Sequence, residues 1–235
     1  MTTDMTTEMK TTTERPRYFP RQVITADDLT LDQDYFREKL RRHNRMLHGW
    51  GIVCGAKVEV AKGADGTNKP WMVKINPGYI IGPCGDEINI QLAVCCDLRI
   101  KCASAVVNEP GPCDDSVTQM PPPAGGIVFV VVRYRQDMVR PVRVSPSGCG
   151  CGENPCENSR WRDGYELCVR DTLPASHPPP PAELVPEPVL APGVAPDCPA
   201  PPADCWVVLA KVRVEKDGAV GDIKFDDCRV LVVHR

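Results

Sequence analysis

The hydrophobic pattern changes period once, near residue 49. Before that point Phe36, Leu40, His43 and Leu47 recur at helical spacing, which predicts one helix from about Leu31 to His48. Thr30 and Gln33 have the spacing of a capping box, Asp32 and Asp34 suit the positive end of the helix dipole, and Gly49 follows as a left-handed stop. Beyond Gly49, short apolar runs alternate with Gly, Pro, Asn and Asp, the signature of strands and turns. Trp50–Val60 and Trp71–Ile75 predict a hairpin whose long tip holds Ala64–Thr67. Tyr79–Ile81, Glu87–Leu92 and Val94–Ile100 read as further short strands.

In the second half, Ile127–Arg133 is a nearly continuous apolar run, which fits a strand buried on both faces. Val139–Val144 is expected to pair with it as a separate strand, held to an edge by Pro141. Pro110–Pro123 and the cysteine-rich Ser145–Arg160 read as loops. Residues 174–202 contain twelve prolines; proline fixes φ and removes a donor, so an extended excursion over the surface is expected there. Cys205–Val214, a turn at Asp217–Gly218 and Cys228–Val233 predict a terminal hairpin. The fold class that follows is mainly β, a sandwich or barrel-like domain with one N-terminal α-helix and a long Pro-rich loop. Residues 1–15 are polar and Thr-rich and read as a disordered or assembly-dependent arm, with Tyr18 and Phe19 placed to pin it. Residues 16–235 form a single β-rich domain in which the proline segment is an insertion, its flanking strands belonging to one sheet system.

Composition narrows the function classes. The net charge of −3 gives no global pull toward nucleic acid. No stretch approaches the roughly 20 apolar residues a membrane-spanning helix needs. Residues 1–10 lack the hydrophobic centre of a signal peptide, so export by the general route is not expected. Thirteen cysteines in 235 residues point to disulfides in an oxidising setting or metal in a reducing one.

Cys149, Cys151, Cys156 and Cys168 are the candidate structural zinc ligands, because a glycine-rich loop lets thiolates converge on a tetrahedral ion. Their Cys-x-Cys-x4-Cys spacing is not that of a paired zinc knuckle, so disulfides or free structural thiols compete with metal. Cys95 and Cys96 are neighbours on a strand and point to opposite faces, so they are expected as two separate buried thiols or in two separate bridges rather than as ligands of one ion. Cys54, Cys102 and Cys228 read as small core residues. Cys84, Cys113, Cys198 and Cys205, in or beside Pro/Gly loops, are better disulfide candidates, since closing long loops stabilises most.

The four histidines are His43, His48, His177 and His234, and none is marked as the base of a nucleophilic pair. The sequence has no Gly-x-Ser-x-Gly elbow, no phosphate-binding Gly-x4-Gly-Lys-Ser/Thr loop and no His-Glu-x2-His. An enzyme is therefore not expected. Arg37, Arg41, Arg42 and Arg45 on the helix form either a solvated basic face or a docking surface for a protein partner.

Several blocks resemble a family. RYFPRQVITADDLT (17–30), Asp34–Phe36 and HNRMLHGWGIVCG (43–55) look like the opening of a group of bacterial proteins associated with phage-tail-like contractile injection systems. PGYIIGPCGDEI (77–88), CENSRWRDGYEL (156–167) and WVVLAKV (206–212) are further matches. The resemblance implies a structural or accessory particle component that contacts other protein subunits or copies of itself. Such a chain would be made in the bacterial cytoplasm and found outside the cell within a released particle. The arm, the basic helix and the proline segment suit that role, because a segment that orders on binding can wrap a large surface. Two other readings remain: a β-sandwich module binding a glycan or a surface partner, and a Cys-rich metal-binding or redox protein.

Overall fold

The computed structural model describes residues 14–102, 125–143, 156–177, 198 and 202–231. Most of the expected arm, the Pro110–Pro123 loop, Cys113, Cys149, Cys151, His234 and most of the proline segment lie outside them.

The helix α1 spans Ala26–His43 and runs into a single π-helical turn, Asn44–His48. It begins five residues before the expected start. Its N-cap is Thr25, whose Oγ1 accepts from the Asp28 amide at 3.2 Å, while the Asp28 carboxylate accepts from the Thr25 amide at 2.9 Å. Thr30 is inside the helix, and its hydroxyl donates back to the Ala26 carbonyl. The chain leaves the π-turn through Gly49 at φ +75°.

Ten strands follow: β1 (Gly51–Gly55), β2 (Val58–Lys62), β3 (Asn68–Ile75), β4 (Gly78–Ile81), β5 (Glu87–Ile90), β6 (Val94–Asp97), β7 (Gly126–Arg143), β8 (Cys156–Arg170), β9 (Val207–Val214) and β10 (Val220–Lys224). They form three antiparallel sheets, ordered β1-β4-β5, β2-β3-β6 and β10-β9-β7-β8. The mainly-β expectation holds; the described strands close no barrel. The strands flanking the proline segment, β8 and β9, do share a sheet.

The expected strand Trp50–Val60 divides in two. Gly55 and Ala56 both take positive φ, and a Cβ at Gly55 would sit 2.1 Å from the Pro77 carbonyl oxygen, so the chain turns there from one sheet into the next. The β2–β3 hairpin forms as expected, with Val58 opposite Ile75.

One hydrophobic core takes residues from all three sheets, among them Val73, Ile75, Ile80, Ile88, Val130 and Leu209. Val128–Val132 of β7 are all buried, as the apolar run predicts, and β7 lies between β9 and β8. Val128, Val130 and Val132 face the main core, while Phe129 and Val131 face a second cluster with Cys168, Trp206 and Val208. A bulge shifts the β7–β9 register between Val130 and Val131, opposite Leu209. Inward positions on β9 therefore change from Val207 and Leu209 to Ala210, Val212 and Val214.

The second half departs from expectation in two places. Val139–Arg143 is no separate strand but the far end of the 18-residue β7, and residues 156–160 of the expected loop belong to β8, which pairs along it. The second arm of the terminal hairpin is Val220–Lys224 rather than Cys228–Val233. Arg229 and Val230 instead lie over Ile52, whose amide donates to the Arg229 carbonyl at 2.8 Å. Tyr18 and Phe19 are both exposed, at 45% and 59%.

Candidate functional site

Helix α1 has no buried residue. What holds it to the β domain is polar. Arg37 Nη1 donates to Gln136 Oε1 at 2.8 Å, Arg41 Nε to Asp86 Oδ1 at 2.6 Å, and Asn44 Nδ2 to the Gly85 carbonyl at 2.9 Å. The spacing i, i+4, i+7 puts these three on one stripe. Gly85 at φ +86° makes the approach possible, since a Cβ there would come within 2.2 Å of the Arg41 carbonyl oxygen.

Roughly a quarter turn around the helix, at 3.6 residues per turn, lie Leu29, Phe36, Leu40 and Leu47. All are exposed, Phe36 at 56% and Leu47 at 71%. The face predicted by periodicity exists, but it is exposed rather than packed on its own domain. Full burial of a Leu or Phe side chain contributes roughly 1.5–3 kcal/mol, so a partner covering this stripe would gain several such contributions.

The basic residues divide. Arg37 and Arg41 are used within the chain, pairing also with Asp34 and Glu38. Arg42 is exposed, and Arg45 is half-buried with its Nε lacking a partner among the described residues. The stripe that sequence reasoning offered to a partner is thus in part the helix's own anchor.

The second outward element was not legible as such. Past Val132, β9 no longer pairs with β7, and β7 and β8 continue alone from Arg133↔Glu166 to Arg143↔Cys156. At about 3.3 Å per residue this two-stranded ribbon runs for roughly 30 Å. Its base is tied by Arg133 to Glu166 at 2.8 Å and by the Tyr134 hydroxyl to Asp163. Burial and the Asp163 carboxylate both raise the Tyr134 pKa above the ordinary phenol value. Tyr134 and Tyr165 pack against the core, but on the same face farther out Met138 stands opposite Trp161, and both are exposed, Trp161 at 60%. Gln136, the residue that receives Arg37, lies on that face one step before Met138. The helix and the ribbon therefore present apolar groups on either side of one intramolecular contact.

The cysteines take mostly structural roles. Cys84 pairs with Cys205 at a Cα separation of 5.3 Å, joining the β4–β5 turn to the entry of β9, as two of the four loop cysteines were placed to do. Cys102 pairs with Cys168 at 5.0 Å, which corrects the reading of Cys102 as a plain core residue and commits Cys168 to a bridge. Cys156 is free and exposed at the opposite end of β8, so it and Cys168 cannot converge on one ion. Cys54 is exposed rather than core; Cys96 is a buried free thiol, Cys95 is disulfide-bonded, and Cys228 is half-buried. Among the described residues no three His, Cys, Asp or Glu side chains form a metal-binding group.

The two ends of the proline segment are clamped together. The Asp204 carboxylate accepts from the Ala175 amide at 2.9 Å, the Ser176 hydroxyl at 2.5 Å and the Trp206 amide at 3.2 Å. Beside it His177 is buried; its Nε2 accepts from the Val208 amide at 3.1 Å, and its ring meets Trp50 edge-on at 4.7 Å. Arg229 lies 4.7 Å over the same Trp50 ring.

No family model and no curated protein matches this chain. Among solved structures it is similar to a chain of the type VI secretion system TssK–TssF–TssG baseplate subcomplex determined by cryo-electron microscopy, with TM-score 0.40 and 11% identity over 91% of this chain. The match spans 60% of that chain's length. Among the described residues, no helix is long and apolar enough to cross a membrane.

Proposed function

We propose that this protein is a structural component of a larger protein assembly, gripping neighbouring subunits through the apolar stripe of α1 and the β7–β8 ribbon. The observation that carries this reading is the helix itself: 18 residues, capped and anchored by polar contacts, with its apolar stripe facing outward. A monomer gains nothing from Leu29, Phe36, Leu40 and Leu47 in that position, whereas an interface does. The ribbon supplies a second grip, a projecting two-stranded arm with the Met138–Trp161 pair on one face. Aromatic and Met side chains are enriched at such contacts.

The finer reading is that the assembly is a phage-tail-like contractile injection particle, in which the chain acts through contacts and catalyses no reaction. Its support is the resemblance of residues 17–30, 43–55, 77–88, 156–167 and 206–212 to proteins associated with such systems. Four of these blocks coincide with parts of the proposed grips or their anchors: residues 17–30 with the N-cap, 43–55 with Asn44 and Leu47, 77–88 with the α1 docking turn, and 156–167 with the ribbon.

The test is the size of the full chain by light scattering and electron microscopy, alone and co-expressed with the proteins encoded beside it. A ring, sheath or stoichiometric complex that is lost in Phe36→Glu/Leu40→Glu is the expected result. A monomer under both conditions would overturn the reading.

A further inference from the structure

His177 stands where three parts of the chain meet: the entry to the proline segment, strand β9 and the strap of residues 225–231. On the β9 side the Val208 amide donates to Nε2. On the strap side the other ring nitrogen bonds the Asp227 main chain, and from β1's approach Trp50 covers the ring edge. An imidazole that accepts at Nε2 carries its proton on Nδ1. A second proton would set an N–H of the ring against the N–H of Val208, a residue with no exposure at all, and leave that buried amide without an acceptor.

We infer that His177 is a proton-operated latch: neutral, it holds the base of the proline segment onto β9 through the Val208 amide, and protonated, it releases that base. The charged groups facing it are Asp204, Asp227 and Arg229. Asp204 and Asp227 favour the imidazolium, but each is already held by a cation, Asp204 by Arg170 at 3.6 Å and Asp227 by Lys211 at 3.1 Å. Arg229 opposes it. Burial is the largest influence and holds the His177 pKa below the ordinary imidazole value.

The sign follows from linkage. In the released state the ring titrates near 6.5, and in the closed state lower, so the released state binds more protons as pH falls through that window. Closure is complete above about pH 6.5 and weakens progressively below it. The segment set free is defined by its hydrogen bonds, Ala175 to Asp204 and Val208 to His177.

The experiment is amide hydrogen exchange of the full chain at pH 7.5 and 5.0, corrected for intrinsic rates, with the His177 ring followed by NMR over the same range. The expected result is a tenfold or greater rise in exchange at Ala175 and Val208, with Ile52 and Leu231 of the strap contact and Val73 and Ile75 of β3 unchanged. That rise should follow the ring's own titration and be absent in His177→Phe. Equal loosening of β3, a rise that persists in His177→Phe, or a ring that titrates with those amides unmoved would each overturn the latch. Should His177→Phe fail to fold, the match or mismatch between ring titration and exchange in the natural chain decides alone.

Discussion

Asn44 and Gly85 meet side chain to main chain at 2.9 Å, where α1 passes into its π-turn and crosses the β4–β5 turn. Both residues are buried, so the Gly85 carbonyl has no water to fall back on. Asn44→Ala should cost roughly 1–3 kcal/mol. Hydrogen exchange should show α1 losing protection first while the core strands keep theirs; uniform loss would place the bond in global stability instead.

The outward stripe makes the opposite prediction. Phe36→Glu with Leu40→Glu changes exposed sites on a helix that tolerates glutamate well, so stability should move by no more than about 0.5 kcal/mol per site. A large fall in melting temperature would mean that the stripe packs on its own domain.

Two threonines separate the observed helix start from the expected one. Thr25→Ala removes a cap that is made in both directions and should cost about 1 kcal/mol of helix stability. Thr30→Ala touches only a hydroxyl bonded back to the Ala26 carbonyl and should be neutral or slightly stabilising, because alanine is the better helix former. Circular dichroism of the two variants under mild denaturant distinguishes them.

The Cys84–Cys205 bridge spans 121 residues of sequence. Cys84→Ser should lower stability by roughly 2–5 kcal/mol, the usual cost of losing a native disulfide. Denaturation with and without reductant should give the same loss for the variant only if the Cys102–Cys168 bridge and the bridge at Cys95 both resist that reductant.

Thiol chemistry should divide by burial. Cys54, Cys156 and Cys198 are exposed and free and should be alkylated in the folded protein, whereas Cys96 should react only on unfolding and the half-buried Cys228 more slowly than the exposed three. Burial, with Asp97 beside Cys96 and Asp227 and Asp226 beside Cys228, pushes both thiols up to about 12 from an ordinary 9.0. Between those values the unfolded chain gives up protons that the folded chain keeps, so stability should fall as pH rises above about 9. Cys96→Ala, though it leaves a small cavity, should flatten that decline, measured as denaturation midpoint against pH.

The sequence reveals the core more readily than the surface proposed here as the grip. The apolar run over Val128–Val132 marks a strand covered on both faces because composition alone reports burial. The ribbon escapes that logic. Residues 138–142 and 156–163 are exposed apart from the half-buried Val139, so no alternation of apolar and polar positions survives there, and Cys, Gly and Arg imitate a loop. Cross-strand pairing with its partner sets the strand instead. The helix start was ambiguous because Thr25/Asp28 and Thr30/Gln33 offer similar spacing; a carboxylate accepts an amide N–H more strongly than a side-chain amide does. Periodicity showed that Phe36, Leu40 and Leu47 share a face, yet it says nothing about what covers it. The pairing of Cys102 with Cys168 depends on the second core cluster bringing β8 beside residues 100–102, a tertiary fact with no local sequence signal.

Because Arg37, Arg41 and Asn44 moor α1 within the chain, its apolar stripe is in place at the end of folding and needs no rearrangement to be covered. On the role proposed above, copies accumulate as complete building blocks, and the timing of construction is set by the supply of partners rather than by the maturation of each chain.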